Sequence, residues 1–138
     1  MRVHAGCSKT LLVDGKRLDD IKYHKGRRIM EDQATMKWFG KSGKPYTYWL
    51  YPIGTNFGPT PGNYIFAKKT ETGEFEAIFV GGTEDLSLGF DEQNIMPCVI
   101  KHGATHIFVH QSTDALRMRC VEENDLIDNY KPPCNIVG

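Results

Sequence analysis

At 138 residues, with 40% hydrophobic and 25% charged residues, the chain has the length of one core-bearing domain and the composition of an ordinary soluble protein. Its 17 Lys and Arg match its 17 Asp and Glu, yet residues 1–60 hold 11 basic against 5 acidic residues and residues 61–138 hold 6 against 12. No apolar run reaches the roughly 18 residues of a membrane span, and the first residues lack the apolar stretch of a signal peptide, so a cytoplasmic protein without membrane contact is expected.

In chain order, residues 1–35 scatter Lys16, Arg17, Lys22, Lys25, Arg27 and Arg28 without clear periodicity. They read as a loosely ordered basic arm, with a short hairpin at Asp14-Gly15. Residues 36–138 read as a single domain. Residues 41–45 form a turn, and the aromatic run 46–51 predicts a strand that can extend the edge of a sheet. Gly54, Gly58-Pro59 and Pro61 make residues 52–61 a loop. Strands at 63–68 and 75–80 follow, joined by Thr70-Glu71-Thr72-Gly73 as a β-hairpin.

Past Gly81-Gly82, Thr83 predicts the cap of a short helix through Leu86 and Leu88, weakened by Gly89. A second short helix is expected at 97–101, a strand at 105–110, and a long helix from a Ser112 cap to Tyr130, stopped by Pro132-Pro133. The order predicts a small α+β domain whose mixed or antiparallel sheet of about three strands is flanked by helices.

Cys7, Cys98, Cys120 and Cys134 lack the Cys-x-x-Cys spacing of zinc knuckles and redox pairs, so free buried thiols are expected. His102, His106 and His110 recur every four residues, as metal ligands on a helix do, but Gly103 interrupts them and 105–110 alternates like a strand.

On the last helix, Leu116, Cys120, Glu123, Ile127 and Tyr130 share one face by their spacing, which sets Glu123 among apolar neighbours. A carboxylate there needs a metal, a cation or water, and Arg119 four residues earlier is the plain structural partner. Glu122 falls on the side of Met118, Asp125 and Asn129 and is expected to be solvated. The basic first half suits the backbone of a nucleic acid; equally, it can simply attract the acidic second half.

Gly62-Asn63-Tyr64 and Phe79-Val80-Gly81 resemble the two motifs of the GIY-YIG nuclease domain. Gly82-Thr83-Glu84-Asp85-Leu86 resembles the start of that family's first helix, and Glu123-Asn124-Asp125-Leu126-Ile127 with Pro132-Pro133-Cys134-Asn135 resembles its closing glutamate helix and ending. The resemblance covers about residues 60–136 and implies metal-dependent endonuclease cleavage of DNA or RNA. It implies Tyr64 as the activating tyrosine, Glu123 as the ligand of Mg²⁺ or Mn²⁺, Gly81 and Thr83 beside the substrate, and Asn135 shaping the site. The chain departs from the pattern at Phe79, which lacks a hydroxyl, at Gly89, where the family has an arginine, and at Gln93; residues 77–100 hold no Lys or Arg. These losses predict weak or absent cleavage, with a non-catalytic module binding nucleic acid or a protein through the basic half as the alternative.

Overall fold

Alternation between buried and exposed side chains builds a sheet in the computed structural model, which describes residues 34–90, 94–113 and 115–135. Its strands are β1 (Thr35–Phe39), β2 (Pro45–Pro52), β3 (Gly62–Lys69), β4 (Phe75–Thr83) and β5 (His106–Gln111), arranged β1-β2-β5-β3-β4 with every pairing antiparallel. Among the described residues the two α-helices are α1 (Met96–Lys101) and α2 (Leu116–Tyr130). The α+β class stands, but the sheet has five strands where about three were expected.

The extra strands come from β1 and β2, whose inward side chains Trp38, Tyr46 and Tyr48 are buried. The 46–51 strand indeed extends the sheet beyond β5, and β1 adds outside it. Thr35, the last residue of the expected basic arm, begins β1, and the carbonyl of Ala34 accepts a hydrogen bond from Leu50 N–H at 3.0 Å. The rest of that arm and the expected Asp14-Gly15 hairpin lie outside the described residues.

The two faces of the sheet bury different clusters. One face carries Tyr64, Phe66, Phe79 and Val109, packed against Val99 of α1 and Phe57 of the 52–61 loop. The other carries Trp38, Tyr48, Ile65, Val80 and Phe108, packed against Leu126 of α2. A bulge in β4 leaves Ile78 opposite the step from Phe66 to Ala67, so the chain neighbours Ile78 and Phe79 both reach the first cluster. Burial of such side chains supplies roughly 1.5–3 kcal/mol each, the main drive for the fold.

Three local expectations change. Thr83 caps no helix: it ends β4 opposite Gly62, and its hydroxyl accepts from Asp85 N–H at 3.1 Å. A single 3₁₀ turn, Leu86–Leu88, follows, with the Asp85 side chain accepting from Ser87 N–H, and Gly89 ends it at φ 82°. Glycine suits that ending, because a side chain there is strained by the backbone conformation. Finally, α2 begins at Leu116 after Ala115, not at Ser112, whose N–H is used by the carbonyl of Pro61 at 3.0 Å.

Nor are the described cysteines free thiols. Cys98 of α1 and Cys134 are joined by a disulfide, with Cα atoms 5.9 Å apart, and Cys120 is also disulfide-bonded. Sequence spacing hides the first pair because 36 residues separate its members. Among the described residues, no helix is long and apolar enough to cross a membrane.

Candidate functional site

The hairpin register sets Tyr64 opposite Gly81 and Asn63 opposite Gly82. Successive strand residues point to opposite faces, so these two pairs open onto different sides of the sheet. A Cβ on Gly81 would lie 2.8 Å from the Tyr64 hydroxyl oxygen and 2.7 Å from the Phe79 ring. On Gly82 it would lie 3.2 Å from both Asn63 Oδ1 and Glu123 Oε1. The glycine pair therefore lets a phenol close in from one side and a carboxylate from the other.

Tyr64 belongs to the apolar cluster, with the rings of Phe66, Phe79 and Phe90 at centroid distances of 5.9, 6.0 and 4.5 Å. Phe90, next to the Gly89 where the resemblance expects an arginine, thus covers the Tyr64 ring. Glu123 is 3% exposed and lies on α2, across the sheet from that cluster. Tyr64 and Glu123 are brought to adjacent glycines but do not share one cleft.

Asn135 reaches the same strand from outside. Its side chain accepts from Val80 N–H at 2.8 Å and donates to Val80 carbonyl at 2.9 Å. Gly81 and Thr83 are buried.

Around Glu123 the environment is polar as well as buried. Asn63 Nδ2 donates to the Arg119 carbonyl at 3.0 Å, while Asn63 Oδ1 is buried with no hydrogen-bond partner. The Arg119 guanidinium, itself buried, pairs with Glu84 at 3.3 Å. A hard divalent cation prefers such oxygen donors, and Glu123 and Asn63 aim two of them at the space the Gly82 side chain would fill. Among the described residues the number does not suffice: Mg²⁺ takes six oxygens and keeps several waters, which side chains 3% and 1% exposed do not admit. The residues present do not fit a hydrated catalytic Mg²⁺ or Mn²⁺.

Glu122, expected in solvent, is buried. Its carboxylate accepts from the Tyr48 hydroxyl at 2.6 Å, and His110 Nδ1 lies 2.8 Å from the same oxygen. Burial and the nearby Glu122 charge push the Tyr48 phenol well above its ordinary range. The helix face buried is Arg119, Glu122, Glu123, Leu126 and Ile127, rotated from the expected one because its first two turns bury polar groups that apolar periodicity does not register. The alternation of Tyr46 and Tyr48 was the available signal, since it sends two phenols towards whatever covers β2.

His102, His106 and His110 do not gather. His106 bonds to Thr105 at 2.8 Å and His110 to Glu122, whereas His102 at the end of α1 lies with Cys98 and Cys134, the three ligand atoms within 4.8 Å of one another.

At the other end of the sheet, Lys37, Phe39, Thr47 and Trp49 point away from α2 and are exposed, with Phe39 46% and Trp49 42% accessible. Lys41 and Lys44 sit in the adjoining turn. Compared with known proteins, the chain matches no family model, no curated protein and no solved structure.

Proposed function

We propose that the chain is a GIY-YIG-like module that binds nucleic acid without cutting it efficiently. The observation that carries the non-cutting reading is the burial of Tyr64 and Glu123 on opposite sides of Gly81-Gly82. Phosphodiester hydrolysis needs a nucleophile activator, a metal and a cation converging on one accessible phosphate. Family likeness draws support from the contacts of the motif-bearing segments: Gly81 on Tyr64, Gly82 on Glu123, and Asn135 on Val80.

Binding draws support from the exposed Phe39 and Trp49 beside Lys37, Lys41 and Lys44. Bases stack on aromatic faces for about 1–3 kcal/mol each, and lysines neutralise the backbone, so single-stranded DNA or RNA is the occupant this face suits.

The test incubates the protein with plasmid and single-stranded substrates in Mg²⁺ or Mn²⁺, beside Glu123→Gln and Tyr64→Phe. Cleavage no higher than in the two variants is expected; cleavage that both variants abolish overturns the non-cutting reading. Anisotropy of a labelled single strand should show salt-sensitive binding that Trp49→Ala weakens, and binding indifferent to Trp49→Ala and Lys37→Ala removes this face from consideration.

A further inference from the structure

Helix α1 is a turn and a half long, and His102 follows Cys98 by four residues, the spacing that puts two side chains on one helix face. Its place is held by Val99, which is 1% exposed in the apolar cluster. Cys134 is placed without help from its sulfur: its N–H donates to the Ile78 carbonyl at 3.0 Å, and the next residue, Asn135, is bonded to Val80. The backbones carrying Cys98 and Cys134 are therefore brought together by packing and hydrogen bonds as well as by the disulfide.

The two sulfurs and one His102 ring nitrogen lie within 4.8 Å of one another. Ligands 2.0–2.3 Å from a tetrahedral ion are separated by about 3.5–3.8 Å, so small side-chain movements suffice to place all three on one metal. Two thiolates and an imidazole favour Zn²⁺ over the oxygen-seeking Mg²⁺. His102 is exposed and the cysteines are half-buried, so an ion can enter and its fourth position faces solvent.

We infer that Cys98, Cys134 and His102 form a zinc site when the disulfide is reduced, so that a covalent bond and a metal ion are alternative ties between the same two segments. A dithiol reductant passes two electrons and two protons to the S–S bond and closes to its own disulfide. Zinc then displaces the two thiol protons on binding. Disulfides persist in oxidising compartments and thiols in reducing ones, so the setting selects the tie.

The experiment titrates Co²⁺, then Zn²⁺ in competition, into the full chain under anaerobic conditions, before and after reduction by a phosphine. One ion per reduced chain is expected, with the thiolate charge-transfer and intense ligand-field bands of tetrahedral cobalt, and none in the oxidised protein. Cys120→Ser should leave these bands, and the Cys98→Ser/Cys134→Ser double variant should lose them. His102→Ala keeps the disulfide and hence the oxidised fold; after reduction it should weaken binding by more than the roughly 10–100-fold that losing an outer-shell partner costs. Equal uptake by the reduced double variant, no uptake by the reduced native chain, or unchanged affinity in His102→Ala overturns the inference.

Discussion

The two faces of the sheet are built on different terms. The face bearing Tyr64 is an aromatic and aliphatic pack closed by α1 and its disulfide. The face under α2 buries Asn63, Arg119, Glu122 and Glu123 beside its apolar cluster. Apolar packing rests on area and shape, whereas a buried carboxylate depends on each of its donors. Tyr64 and Glu123, read together from the sequence, therefore sit in unlike surroundings.

The largest effect should come from the polar face. Glu122→Ala leaves the buried Tyr48 hydroxyl and His110 without their shared acceptor and should cost about 3–5 kcal/mol in urea unfolding, the sum of an orphaned buried hydroxyl and a second lost hydrogen bond to a carboxylate. Tyr64→Phe on the other face should cost at most about 1.5 kcal/mol, and equal losses would erase the contrast. Next, reducing the disulfide in metal-free buffer, or Cys98→Ser, should remove roughly 2–4 kcal/mol by freeing a 36-residue separation in the unfolded chain. Thermal unfolding with and without reductant measures it, using Cys120→Ser to separate the two disulfide-bonded regions.

Gly81→Ala comes third. Its methyl would press into the rings of Tyr64 and Phe79, for about 1–3 kcal/mol, again read by urea unfolding. The smallest effect concerns Asp125, which ties α2 to the turn between β1 and β2. Burial raises its pKa, but hydrogen bonds from the Ser42 hydroxyl and N–H and from Tyr46 outweigh that and leave it lowered. A lowered carboxylate stabilises the fold above its unfolded pKa, about 3.9, and that contribution disappears as pH falls through the lower folded value. Asp125→Asn should flatten the stability–pH curve in that acid range and cost about 1 kcal/mol at neutral pH; an unchanged curve would sever the turn from the helix energetically.

Much of the framework was legible because it rests on local pattern. The hairpin of β3 and β4, β5, and the end of α2 before Pro132-Pro133 follow from alternation and chain breaks. Strand β1 was obscured by the basic residues before it, although Met36 and Trp38 alternate with Thr35, Lys37 and Phe39 as a half-buried strand does. The helix expected after Gly82 failed because β4 continues through Thr83 and Gly89 adopts a conformation that ends the turn. The burial of Glu122 and the meeting of Cys98 with Cys134 depend on which segments cross, and residue spacing carries no record of that.

The grip of Asn135 on Val80 has a consequence for the molecule's company. Strand β4 is an outer strand of the sheet, and a bare outer strand offers its N–H and carbonyl groups to any passing chain. At Val80 those groups are occupied by a side-chain amide, and at Ile78 the carbonyl is occupied by Cys134 N–H. The turn after α2 thus acts as a guard rail, filling part of the border where a foreign strand would otherwise begin to pair.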